Sequence, residues 1–187
     1  MSTGDHFIDG ALLLCVDLQP VFINAIDDGP RVLRRCQFAV EAAAGIGLRT
    51  AFTEQVPQKL GGTAPELLAL AGKKSPVFGK KTFSAFDDDG IRDAVRALDV
   101  EHVILCGLET SVCLYQTALA AMDHQLQVTL LTDCIGARRP DDAAVCLDAL
   151  TRLGVHALPA ETVFYALLHD TEHQFFKGFT KLVKKYA

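Results

Sequence analysis

Three apolar runs in this 187-residue chain end in side chains able to do chemistry: "ALLLCVD" closes on Asp17, "SPVFGKK" on Lys80 and Lys81, and "EHVILCG" leads through "LETSVC" to Cys113. A free cysteine is most often a small buried hydrophobe. It becomes a nucleophile when its surroundings favour the thiolate, starting from a pKa near about 8.5. The positive end of a helix and a nearby ammonium group both do this. With Thr110 as N-cap, Cys113 falls at N3, in the turn where unpaired backbone N–H groups gather. A thiolate there could attack a carbonyl carbon while those N–H groups hold the resulting oxyanion. A carboxylate within reach would take the thiol proton and return it to the leaving group. Asp17 is the candidate for that part, with one of the two lysines setting the charge balance.

Whether the three meet depends on the elements that carry them. "ALLLCVD" (11–17) reads as a strand buried on both faces. A helix from Pro30 to Ala44 places Leu33, Cys36 and Val40 on one face. "GIGLRT" then reads as a helix stop running into the strand 48–53. "TAPELLALA" (63–71) predicts a short helix with Pro65 in its first turn, and 75–80 a short strand. "DDDGIRDAVRAL" has acids in the first turn and Ile91, Val95 and Leu98 at helical spacing. "EHVILCG" is the next strand, 110–123 a helix and 126–133 another strand. A helix over Pro140–Leu153 points Cys146, Ala149, Leu150 and Leu153 inward; "VHALP" is a sixth short strand, followed by helices at "ETVFYALL" and 172–185. This alternation predicts a three-layer α/β/α fold with a mostly parallel, six-stranded, Rossmann-like sheet. Ligands in such sheets bind beyond the carboxyl ends of the strands, where strand order reverses. If strands one and four are neighbours at the reversal, Asp17 and Cys113 face one another across the crevice.

Bulk properties narrow the functional classes. With 50% hydrophobic and 22% charged residues, the chain can bury one substantial core, and we expect a single domain over 1–187. A formal charge of -5 is a poor match to a phosphate backbone, which argues against nucleic acid as a partner; "KLVKKYA" is only a local basic patch. Residues 1–10 lack the pattern of a secretory leader, and no apolar run approaches the roughly 18 residues of a membrane span, so a cytoplasmic protein with no membrane partner is expected. The six cysteines could form three disulfides, but a chain of this size with no leader pattern is expected in a reducing compartment, and the lack of a Cys-x-x-Cys pair argues against zinc. We read Cys15, Cys36, Cys106, Cys134 and Cys146 as packing.

These segments together resemble the isochorismatase-like cysteine hydrolases, which include nicotinamidases and related amidohydrolases, over nearly the whole chain. "ALLLCVDLQPVF" is similar to the family's opening strand and implies that Asp17 is the catalytic acid. "KKTFSAF" resembles Lys-x-x-Tyr/Phe-Ser-x-Phe, a register that selects Lys80 over Lys81. "CGLETSVCLYQTA" resembles the nucleophile segment and selects Cys113. It also implies a cis peptide between Leu108 and Glu109, with oxyanion donors from the backbone N–H of Glu109 and Cys113. Gln19, Phe22 and Phe83 are candidates for the pocket lining. Metal-binding nicotinamidases carry histidines after the second strand, where this chain reads "TEQVPQKLGGTAPEL"; no metal and no cofactor is expected. That wording and "HDTEHQFFKGFTKLVKK" resemble the small isochorismatase-domain-containing proteins.

The resemblance implies a hydrolase of a small carbonyl substrate, a carboxamide, through a thioester. Vinyl-ether hydrolysis by the acid alone and an oligomeric binding scaffold are the alternatives. A homo-oligomer is expected. Among other candidates, His169 and His173 in "HDTEH" lack the order of a zinc protease and read as a solvated helix face. Arg138 and Arg139 could receive a substrate carboxylate or pair with Asp141 and Asp142.

Overall fold

The computed structural model describes residues 8–187; most of the segment read for a leader lies outside the described residues. The chain alternates strands and helices as follows. β1 (Ala11–Val16) is followed by a helical turn at Pro20–Ile23, α1 (Gly29–Ile46), β2 (Arg49–Gln55) and a second turn at Pro57–Leu60. Then come α2 (Pro65–Ala71), β3 (Val77–Lys80), α3 (Asp89–Arg96) and β4 (His102–Leu108). A π-helical turn over Thr110–Leu114 opens into α4 (Tyr115–Asp123), before β5 (Gln127–Gly136), α5 (Pro140–Arg152), β6 (His156–Leu158), α6 (Ala160–Leu168) and α7 (Phe176–Tyr186).

All six strands are parallel, in the order β3-β2-β1-β4-β5-β6. The order reverses between β1 and β4, which are direct neighbours with Cys15 opposite Cys106 and Val16 opposite Gly107. The reversal therefore falls where Asp17 and the segment before Cys113 leave the sheet.

Alternation along the strands builds two cores, because successive side chains point to opposite faces. On one face Leu13, Cys15, Phe52, Ile104 and Cys106 pack under α1, α6 and α7. Phe38 of α1 anchors this layer, with its ring 6.1 Å from that of Phe164 and 5.7 Å from that of Phe179. On the other face Leu12, Leu14, Val16, Val103 and Leu105 pack against Ile91, Val95, Leu114, Ala118, Ala121 and Leu150. Each large apolar side chain so buried contributes roughly 1.5–3 kcal/mol. Helix ends follow local chemistry: Asp88 caps α3 by accepting from the Ile91 N–H at 3.2 Å. α1 stops at Gly47 in the left-handed region.

Several sequence expectations shift. Leu98 and Leu153 lie past the ends of α3 and α5 and are 37% and 54% exposed, while Cys146 and Ala149 are half-buried; only Leu150 of the four expected residues in α5 is fully inward. β5 runs three residues beyond 133, to Gly136, because its far half pairs with Gly107 and Leu108 after an irregularity in the ladder. The final helix starts at Phe176 instead of 172, and His169 takes a positive φ of 67°. "HDTEH" is thus a series of turns and not a helix face.

Gly107 lets the two central strands approach at the switch point. Its φ is +124°, and a Cβ there would sit 2.0 Å from the Val16 carbonyl oxygen. Gly47 also has a positive φ, +80°, but nothing lies within 4 Å of its would-be Cβ. Thermal unfolding should separate them: Gly107→Ala is expected to lose at least about 3 kcal/mol, and Gly47→Ala only about 1 kcal/mol.

Candidate active site

Asp17 is the first residue beyond β1, and its backbone is held in the left-handed region at φ +52°, a conformation Asp tolerates better than most residues. Its N–H donates to the Thr53 carbonyl at 3.1 Å, and the Thr53 hydroxyl donates to Asp17 Oδ1 at 2.8 Å. The other carboxylate oxygen, Oδ2, accepts from Lys80 Nζ at 2.7 Å. Both side chains are sealed from solvent, at 1% and 0% exposure. A buried ion pair persists only when its spare protons and lone pairs are also satisfied. Lys80 meets that condition with Gln55 Oε1 at 2.6 Å and the carbonyls of Thr82 and Phe83 at 3.2 and 3.1 Å. Lys80, which the resemblance selects, is the lysine buried against Asp17; Lys81 is exposed.

Cys113 comes from the other side of the switch point and is 7% exposed. The turn that carries it is not the expected α-helical N-terminus. Glu109, with extended φ and ψ, precedes the first turn, and the Leu114 N–H reaches back five residues to the Glu109 carbonyl at 3.1 Å. Thr110 is therefore inside the π turn, where its hydroxyl donates to the Gly136 carbonyl at 3.0 Å instead of capping. Cys113 is the fourth residue of that turn. The Leu108–Glu109 peptide is cis, as the resemblance implied.

The thiol faces the Asp17 carboxylate and the Glu109 backbone N–H. Burial, and then the Asp17 carboxylate, push the thiol up to about 12, with Lys80 opposing only in part. This corrects the expectation of a resting thiolate. The ammonium charge is engaged by Asp17 at 2.7 Å, so it offsets burial and the carboxylate only in part. At neutral pH the proton stays on sulfur, facing a carboxylate.

Other predicted residues are placed as follows. Gln19 is fully buried, and its amide is committed to backbone: Nε2 donates to the carbonyls of Gln55 and Gly61 at 3.1 and 2.5 Å, and Oε1 accepts from the Gln55 N–H at 2.7 Å. It ties the loops after β1 and β2 together. Phe22 is half-buried against the α1-side core, whereas Phe83 is 55% exposed beside the Lys80 loop. Arg139 pairs with Asp142 at 2.6 Å, as local pairing predicts, but Arg138 pairs with Glu109 at 2.7 Å. That bond engages the Glu109 carboxylate on Arg138.

Thr53 and Gln55 were missed; their only sequence signal was that polar residues close a strand that is otherwise buried. Cys15, Cys36, Cys106 and Cys134 are all buried in the α1-side core. Among the described residues no group of three or more His, Cys, Asp or Glu side chains is placed to hold a metal ion.

The charge argument has a direct readout in a Cys146→Ser background, which removes the half-buried thiol on α5. Iodoacetamide modification of Cys113, followed by peptide mass, should still accelerate through pH 9 without a plateau. Asp17→Asn should accelerate it at pH 8 by about tenfold or more, one pKa unit being a factor of ten. A plateau below pH 7 in the unsubstituted site would contradict the assignment.

With the site described, comparison with known proteins is informative. The family model described as "Isochorismatase domain" matches residues 11–162. Isochorismatase domain-containing protein 2 of Bos taurus is 34% identical over 175 residues, covering 93% of this chain and 82% of that protein. The structure of MAR1 ribonuclease from Caenorhabditis elegans superposes with a TM-score of 0.88 at 27% identity, over 94% of this chain and 90% of that one. The YcaC gene product of Escherichia coli, described as an octameric hydrolase of unknown specificity, shares the fold with a TM-score of 0.84 at 21% identity, over 96% and 94% of the two chains. The six-stranded parallel sheet, the match through residues 11–162 and the curated relatives agree: the chain belongs to the isochorismatase-like hydrolase family.

Proposed function

We propose that this chain hydrolyses a small carboxamide through a thioester on Cys113, with Asp17 as proton carrier and Lys80 as its fixed counter-charge. One observation carries the reading: a thiol facing a buried carboxylate that is itself held by a fully buried ammonium. Because the thiol is neutral at rest, attack and proton transfer are coupled. As sulfur bonds to the carbonyl carbon, its proton passes to Asp17, and the carbonyl oxygen takes up negative charge opposite the backbone N–H groups of Glu109 and Cys113. Collapse of the adduct breaks the C–N bond, and Asp17 hands its proton to the departing amine. Water then adds to the thioester, losing a proton to Asp17, and the proton returns to sulfur as the acid is released. Lys80 stays paired with Asp17 between the two halves. Its own acceptors are all within the protein, so it contributes charge without touching substrate.

A second reading has support from the same chemistry. A thiol pushed to about 12 would also suit a site in which Asp17 alone protonates a vinyl ether and no covalent bond forms. Two further elements belong to the proposal. The substrate is a small molecule and not nucleic acid, since the formal charge is -5; the ribonuclease name belongs to the worm relative. Assembly of identical copies fits the exposed Val145 and Leu153, at 70% and 54%, and octamer formation in the bacterial relative. Six free cysteines suit a reducing compartment such as the cytoplasm.

A competitive screen of amides, esters and vinyl ethers, followed by acid quench and intact mass, tests the mechanism. On the best substrate Cys113→Ala should lose at least about 10⁴-fold in kcat. Asp17→Asn should lose about 10²- to 10⁴-fold. The quenched enzyme should carry an acyl increment on the Cys113 peptide. Wild-type turnover by Cys113→Ala would remove the nucleophile and leave the vinyl-ether reading. Cys106→Ser, in the buried cluster, should lower the melting temperature and leave kcat unchanged.

A further inference from the structure

Lys80 is fixed more firmly than an ion pair requires, by a residue outside the three already assigned. Its ammonium has three protons and four acceptors, and the shortest contact is not with Asp17 but with Gln55 Oε1, at 2.6 Å. The Gln55 amide can face it in one sense only. Its Nε2 donates to the Lys81 carbonyl at 3.0 Å, and a carbonyl can only accept. Rotating the amide would set donor against ammonium and oxygen against oxygen. The backbone of Gln55 is fixed as well, through the Gln19 amide on both its N–H and its carbonyl. Gln55 ends β2 in register with Lys80, the last residue of β3, so the sheet itself brings the two side chains together.

The type of residue matters as much as its place. A neutral oxygen satisfies the ammonium without adding charge, leaving Asp17 as its one anion. A carboxylate here would bring a second negative group toward the thiol, and an apolar side chain would leave a buried ammonium proton short of an acceptor. We infer that Gln55 is a positioning residue: it holds Lys80 on Asp17 and keeps the site at a single carboxylate. The inference rests on reading Asp17, Lys80 and Cys113 as the reaction centre.

The test uses Gln55→Glu and Gln55→Met in the Cys146→Ser background. The charged groups facing the sulfur are Asp17 from β1 and Lys80 from β3. The carboxylate of Glu109 is on Arg138, and that of Glu54 is on the Thr63 N–H and hydroxyl. The readout is therefore the rate of Cys113 alkylation by iodoacetamide at pH 8, which needs no substrate. Gln55→Glu should slow it about tenfold, since one pKa unit is a factor of ten. Gln55→Met, which weakens the hold of the ammonium on Asp17, should slow it about threefold or more. A residue that merely braces the Lys81 loop would lower the melting temperature in both variants and leave the rate untouched. Either folded variant reacting within about twofold of the parent overturns the inference. Absence of an acyl-enzyme would overturn the proposed mechanism and leave this result standing, so the two failures are distinguishable.

Discussion

The contact on which the site depends is the ion pair between Lys80 and Asp17, 2.7 Å long and closed to solvent on both sides. Taking two charges out of water costs several kcal/mol each, and their attraction compensates only when every remaining proton and lone pair has a partner. Here the partners are drawn from three strand ends: Thr53 and Gln55 from β2, the Thr82 and Phe83 carbonyls after β3, and Asp17 itself after β1. The pair therefore registers the carboxyl edge of the sheet as a unit. Removing either charge alone would leave the other buried and uncompensated, at a cost of about 3–5 kcal/mol.

Topology converts that local requirement into a site. β1 and β4 are neighbours where the strand order reverses, the place at which open α/β sheets generally bind their ligands. One wall presents the Asp17 carboxylate; the other presents a π turn that carries the sulfur and the Glu109 N–H. The consequence for reactivity is specific. A catalytic thiol is commonly activated by losing its proton in advance, whereas Cys113 is kept protonated by burial and by the carboxylate it faces. Under the proposed mechanism activation is tied to the approach of an electrophile, and a thiol so held is protected from adventitious oxidation, a reaction that follows thiolate character.

Much of this was legible in the sequence, and the failures share a cause. Continuous apolar runs gave away buried parallel strands, and the fold brings together the acid, the lysine and the cysteine at their ends. What local pattern could not supply was anything set across strands. The protonation of Cys113 depends on a carboxylate 96 positions earlier in the chain; an N-terminal helical position alone pointed the other way. Gln55 and Thr53 sit in a strand where polar residues carry no periodic signal, and their partners come from neighbouring strands. Gln19, expected in the pocket, is committed to the backbone of a loop more than 30 residues away. Thr110 resembled a cap in sequence, but its hydroxyl prefers the end of β5, which only the folded sheet delivers.

The central claim is the charge state of the resting sulfur: a neutral Cys113 beside the Asp17–Lys80 pair. Thiolate absorbance near 240 nm, recorded against pH as the difference between the parent protein and Cys113→Ala, measures it without substrate. The account predicts no difference signal at pH 7 and the onset of one only in strongly alkaline solution, in keeping with a thiol near 12. A full thiolate difference already present at pH 7 would contradict it.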